Sequence, residues 1–200
     1  MPAIRAGLAE HAAVAANLES VMAPLETVAT TMCEALAAGG RVYTFGNGGS
    51  AADAQHLAAE LIGRYQRTRR ALPAASLAVD PSVVTCIAND FGYDEVFARQ
   101  VAALAGPGDV VVGFTTSGRS PSAVAGLAAG REAGATTVLF AAGDGGEAAA
   151  HADLALLVPS ETTPRIQEMH LLLLHLLSDA VDAWAAADAP VAGEEGGVAP

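Results

Sequence analysis

The sequence predicts an α/β protein, with a mostly parallel five-stranded sheet covered by helices on both faces. From residue 41 onward, short strand-like runs alternate with helical segments, which is the pattern of βαβ units. The runs are apolar throughout, as strands buried on both faces must be. The chain has 200 residues, 52% of them hydrophobic, enough to bury a core and to argue against disorder in the bulk.

Residues 3–38 are alanine-rich with apolar positions at helical spacing. They read as two helices broken near Pro24, with Gly39-Gly40 ending the second. These helices precede the first strand and are expected to serve packing or oligomer formation. Strands are expected at Arg41–Phe45, Ala75–Val79, Val110–Phe114, Thr136–Phe140 and Leu154–Val158. Helices are expected at 50–64, 81–88, 93–104 and 121–133, with a short one near 146–151 and a long last one from Pro164 to Ala187. Residues 188–200 (DAPVAGEEGGVAP) lack a core-forming pattern and are expected to be a disordered tail. The domain reading is therefore one unit over 1–187, with 1–38 as its N-terminal helices and 39–187 as its α/β core and last helix.

Composition excludes several function classes. The formal net charge is −12, which opposes general nucleic-acid binding and adhesion to anionic membranes. All ten basic residues are arginine, so neither a lysine Schiff base nor a P-loop lysine is available. Any phosphate must be held by backbone N–H groups, hydroxyls or arginine. The basic run RYQRTRR at 64–70 reads as a solvated or intersubunit surface. Cys33 and Cys86 lack metal or redox spacing and read as reduced, buried thiols. With no signal-peptide pattern and no long apolar span, the expected location is cytoplasmic. Aromatics are only 4% and alanine fills many apolar places, so helices can approach closely and an oligomer is expected.

Two strand–loop–helix segments echo one another: RVYTFGNGGSAADAQHLAAEL and DVVVGFTTSGRSPSAVAGLAAG. Both loops fall at the carboxyl ends of strands, where open α/β sheets place ligands. In the first, Asn47, Gly48 and Gly49 permit close ligand approach, and Ser50-Ala51-Ala52-Asp53 reads as a helix-capping signature. Free amides at that helix start favour an anion or a carbonyl oxygen. The second loop, Thr115-Thr116-Ser117-Gly118-Arg119-Ser120, sets four hydroxyls before Pro121, which suits a first helical position. That arrangement can bind phosphate without lysine; a polar turn capping its own helix is the other reading. Neither loop carries the dinucleotide fingerprint.

His56 and Glu60 lie four apart, about 40° around a helix, and so project together just beyond the first loop. Such a pair can bind a divalent metal or share proton transfer, or form a plain surface contact. In the last helix Gln167 and His175 are eight apart, about 80° around the axis, and can border one cavity. His170 and His175, about 140° apart, cannot easily share a ligand. His175 stands among leucines, a costly place without a partner. A satisfied buried histidine and a functional one both remain open.

FGNGGSAADAQHLAAEL, with AND at 88–90, TTSGRS at 115–120 and RIQEMHLLLLH at 165–175, resembles the phosphoheptose isomerases of the sugar-isomerase (SIS) domain family. The resemblance covers residues 1–185. It implies a three-layer α/β/α sandwich, a homotetramer with active sites between subunits, and conversion of sedoheptulose 7-phosphate for nucleotide-activated heptose. It implies a zinc ion at His56, Glu60, Gln167 and His175, with Glu60 and His175 as acid–base pair. Substrate contacts are implied at Asn47, Gly48, Gly49, Glu60, Asn89, Asp90, Thr115, Thr116, Ser117, Ser120 and Gln167. Thr115 stands where the family usually has serine, Arg119 where it often has asparagine, and Pro164 where it can have an acid or glycine. The competing expectations are a non-catalytic SIS adaptor similar to replication-initiator-associating proteins, and an isomerase of another ketose phosphate.

Overall fold

The computed structural model describes residues 2–187; the tail expected at 188–200 lies outside the described residues. Two helices open the chain, α1 (Pro2–Ala15) and α2 (Glu19–Ala37). Then follow β1 (Val42–Gly46), α3 (Gly49–Ile62), β2 (Ala74–Ser76), α4 (Pro81–Phe91), α5 (Ala98–Leu104), β3 (Val110–Phe114), α6 (Pro121–Glu132), β4 (Thr136–Ala142), β5 (Leu154–Val158) and α7 (Thr163–Ala187). The five strands form one sheet in the order β2-β1-β3-β4-β5, and every pair is parallel.

Alternation along each strand builds two cores. Val110, Val112 and Phe114 of β3 point to one side, where α2, α3 and α7 pack with Val28, Met32, Leu57, Leu61, Leu173 and Leu177. Val111 points to the other, with Phe45, Phe97, Leu127 and Leu139 under α4, α5 and α6. A strand buried on both faces needs apolar side chains in both directions, and β1 and β3 are buried at every residue. The result is the three-layer sandwich, helices on both faces of the sheet.

The order 2-1-3-4-5 reverses direction between β1 and β3. In open α/β sheets the crevice outside the strand ends at such a switch point receives ligands. The glycine loop leaves β1 and the hydroxyl loop leaves β3, so both border that crevice.

Several local expectations are corrected. The break between the first two helices falls at residues 16–18, and Pro24 lies inside α2. Its missing N–H deprives only the carbonyl of Ser20, an exposed residue. Meanwhile Val21, Leu25, Val28, Met32 and Leu36 stay buried at three- and four-residue spacing and hold the helix through the proline. Ser50 is not a cap: α3 begins at Gly49 after Gly48, whose φ of 59° suits glycine, and the Ser50 N–H donates to the Asn47 carbonyl. The helix expected at 93–104 divides into a 3₁₀ turn at Tyr93–Glu95 and α5, and 147–151 is also 3₁₀. The second strand is shorter than expected, and the last helix begins one residue before Pro164.

Candidate active site

Two groups of polar side chains form along α3 and α7, the first of them at the carboxyl end of the sheet. The first surrounds the β1/β3 crevice. A cavity of about 150 Å³ is lined by Asn47, Ser50, Thr115, Thr116, Ser117, Ser120 and Gln167. Asn47 organises it: its amide donates to Ser120 Oγ and Ser122 Oγ, both at 2.9 Å, and its Oδ1 accepts from the Tyr93 hydroxyl at 2.8 Å. Thr115 is buried and its N–H donates to Phe140 O, so the loop continues the sheet before it turns. The Gln167 amide packs directly over Gly49; a Cβ there would come within 2.5 Å of Gln167 Nε2. Glycine at 49 is therefore needed for the last helix to close over the loop.

The second group joins α3 to α7. His56 Nε2 lies 2.9 Å from Glu60 Oε1 and 3.4 Å from His175 Nε2. The two imidazoles meet edge to face at 4.9 Å, and Tyr65 stacks on His175 at 5.6 Å and 29°. The predicted i,i+4 pair is thus real, and residues 119 positions apart in the chain complete it. A carboxylate and two imidazoles in this contact can take up, hold and pass protons.

The same three side chains bear on the implied zinc ion. Around a tetrahedral ion with bonds of about 2.1 Å, donor atoms stand about 3.4 Å apart. The separations of 3.4 and 2.9 Å come near this, and the donor types suit zinc. Among the described residues no three His, Cys, Asp or Glu side chains already stand in a metal-holding arrangement. The His56–Glu60 hydrogen bond must open before both atoms can face an ion. Gln167 lies two turns, about 12 Å, along α7 from His175 and lines the other cavity.

Asn89 and Asp90 are exposed on the last turn of α4, bonded to one another at 2.8 Å, and do not line the crevice cavity. Arg119 lines a neighbouring cleft of about 500 Å³ with Thr116, Ser117 and Glu161, and lies 3.6 Å from Asp144. Pro164 takes the second position of α7.

Sequence reasoning missed four features. Ser122 and Tyr93 fix Asn47. Asp53, one turn before His56, is buried with Oδ2 unpartnered; burial pushes its carboxyl up to about 6, against the pull of His56. The fully buried histidine is His170, whose Nε2 donates to Ala141 O at 3.1 Å; burial lowers its pKa to about 4, against that bond. Finally, RYQRTRR is not all surface. Arg69 is buried against Asp182, Nε to Oδ1 3.0 Å. Burial alone would raise the Asp182 carboxyl, but the N–H groups of Arg67, Gln66 and Tyr65 and the Arg69 guanidinium outweigh it and hold the pKa below its usual value.

The SIS domain family profile matches residues 8–142. The phosphoheptose isomerase of Paramagnetospirillum magneticum is 51% identical over 90% of this chain and 94% of its own length. That of a Geobacter species is 46% identical over the same shares. Among solved structures, a phosphoheptose isomerase from Neisseria gonorrhoeae superposes with a TM-score of 0.86 at 39% identity, covering 91% of this chain and 98% of that one. One from Francisella tularensis gives 0.88 at 29% identity, covering 91% and 97%. With the β1/β3 crevice and the His56–Glu60–His175 group in place, this chain belongs to the SIS domain family, among the phosphoheptose isomerases.

Proposed function

We propose that the protein converts D-sedoheptulose 7-phosphate to D-glycero-D-manno-heptose 7-phosphate, the first step of nucleotide-activated heptose biosynthesis. The observation that carries the reading is the convergence of Glu60, His56 and His175, on the same two helices that border a phosphate-sized cavity, in a chain 51% identical to a phosphoheptose isomerase.

The reaction moves a carbonyl from C2 to C1. Glu60 takes the proton from C1 of the open-chain ketose, leaving an enediolate with its charge on the C2 oxygen. His175 carries a proton between the two oxygens, and Glu60 returns its proton to C2. His56, within reach of both, orients them. Thr115, Thr116, Ser117 and Ser120, with the loop amides, hold the phosphate, while Asn47, Gly48, Gly49 and Gln167 hold the sugar beside it. Phosphate binding then serves to orient the reacting carbons. We assign a zinc ion to His56, Glu60 and His175, with Gln167 as the implied fourth ligand; when bound it would polarise the two oxygens as a Lewis acid.

A cavity of about 150 Å³ is below the roughly 300–1,000 Å³ of ordinary ligand sites, so it holds one end of the substrate. We propose that a second chain completes the site in a homotetramer and brings Asn89 and Asp90 to the substrate. The exposed Leu171, Leu172 and Leu176 of α7 support an intersubunit face there. No described helix is long and apolar enough to cross a membrane. With a soluble phosphorylated substrate and free thiols at Cys33 and Cys86, the proposed setting is the cytoplasm. An adaptor would have no need of the carboxylate–imidazole group.

The test is turnover of the purified protein on C5 to C7 ketose phosphates, with and without chelator. Sedoheptulose 7-phosphate is expected to be the preferred substrate. Glu60→Gln is expected to lower kcat by about 10²–10⁴ with the fold intact by circular dichroism. Full turnover in that variant removes Glu60 as the base, and silence of the parent on every ketose phosphate removes the isomerase reading.

A further inference from the structure

The buried ion pair of Arg69 and Asp182 sits where it can set the geometry of the reacting group. Their side chains are 1% and 0% exposed, although Arg69 belongs to a run of basic residues. A buried pair is weak evidence for stability, because desolvation offsets much of the attraction. Its hydrogen bonds show what it organises.

Arg69 caps α3. Its Nη2 donates to the carbonyl of Glu60 at 2.6 Å, and its Nη1 to those of Leu61 and Gly63 at 2.8 and 3.1 Å. Glu60 and Leu61 lie in the last turn of α3, where carbonyls have no N–H partner within the helix. Leu61 O also accepts from the Leu72 N–H, Gly63 is the residue just past the helix, and a cation there complements the helix dipole. The capped helix is the one that carries His56 and Glu60.

Asp182 gathers the following loop onto α7. Its carboxylate accepts from the N–H groups of Arg67 at 2.6 Å, Gln66 at 3.1 Å and Tyr65 at 3.4 Å. Asp182 and His175 are seven residues apart, within about 20° on one face of the helix. The Tyr65 backbone is tied to Asp182, and its ring lies on His175. One ion pair thus links the end of the Glu60 helix, the loop bearing Tyr65 and the helix bearing His175.

We infer that Arg69 and Asp182 are positioning residues which, acting through the α3 cap and the Tyr65 ring, set His175 against His56 and Glu60. The effect on turnover rests on the isomerase reading above; the effect on the imidazole does not. Misplacing a reacting group by an ångström can cost about a hundredfold in rate.

The experiment uses the full chain with labelled histidine. Stacking under Tyr65 gives the His175 ring protons a ring-current shift, assigned by its loss in His175→Asn. Removing one partner of the pair strands a buried charge and can unfold the protein, so both are removed together as Arg69→Met with Asp182→Leu. Tyr65→Leu leaves the pair intact and decides alone should the double variant not fold. Both variants are expected to move the His175 signals and to lower kcat about ten- to a hundredfold, with KM within about threefold of the parent. Tyr65→Phe, which keeps the ring, is expected to restore signal and kcat. Unmoved His175 signals in Tyr65→Leu, or moved signals with parental kcat, overturn the inference, as does a Phe variant that behaves like Leu. A parent with no turnover refutes the isomerase reading only, and the His175 signals then decide the positioning.

Discussion

His170 and His175 show how little the residue type alone decides. The leucines around His175 mark it as the histidine in need of a partner, yet it is only half-buried, between His56 and Tyr65. His170 is the one sealed in the core, beneath the Phe114 and Phe140 rings, and its single bond to Ala141 leaves Nδ1 unpartnered. Its folded pKa of about 4 lies below the 6.5 of a free imidazole. Between those values the unfolded chain binds the extra proton, so His170 lowers stability as pH falls from about 6.5 to about 4, by about 3 kcal/mol in all. Asp53 acts in the opposite sense. Its raised pKa of about 6 means that the folded state binds the proton more readily, so its burden grows as pH rises from 3.8 to about 6. Because the two oppose one another, the contribution of His170 is read as a difference. Urea unfolding of parent and His170→Leu across pH 4 to 7 should show the variant losing about 3 kcal/mol less on acidification.

At the scale of elements, the hydroxyl loop is fixed by its neighbour. Gly118 has a φ of 65°, and a Cβ there would stand 1.9 Å from the carbonyl oxygen of Gly145. The Ala148 N–H donates to the Gly118 carbonyl, so the loop after β3 and the loop after β4 are joined backbone to backbone. Neither can shift for a methyl group without moving the hydroxyls proposed to hold phosphate. Gly118→Ala should cost at least about 1–2 kcal/mol from the left-handed conformation alone, and more from the overlap. The same variant should weaken inhibition by inorganic phosphate at least about tenfold, a loss of some 1.4 kcal/mol in binding. Denaturant unfolding and the inhibition constant measure the two effects separately.

For the whole molecule, the half-exposed leucines of α7 and the apolar residues of α1, Ile4 at 68% and Leu8 at 70% exposure, leave more apolar surface than one chain covers. Sedimentation equilibrium should give a mass of four chains. Leu172→Asp with Leu176→Asp, which would bury charges at that face, should give smaller species and lower turnover more than about tenfold, with helix content retained. A tetramer that survives both substitutions would place the subunit contact elsewhere.

Much of this was legible in the chain. Apolar runs of strand length, separated by helical stretches, can bury their backbone groups only as a parallel sheet between helix layers. A small-residue loop after one strand and a hydroxyl-rich loop after another locate a ligand crevice. His56 and Glu60 share a helix face by helix geometry alone. The remaining features depend on contacts between distant residues. Nothing local to RYQRTRR distinguishes the buried Arg69 from its exposed neighbours, because its partner is 113 positions away. Nothing around His175 announces Tyr65, and the spacing of Gln167 and His175 gives an angle but not their separation along the axis. Periodicity and turn chemistry act between neighbours and therefore fix elements and their order. Burial of a charge, closure of an ion pair and the meeting of two helices depend on how those elements pack, which only the folded chain decides.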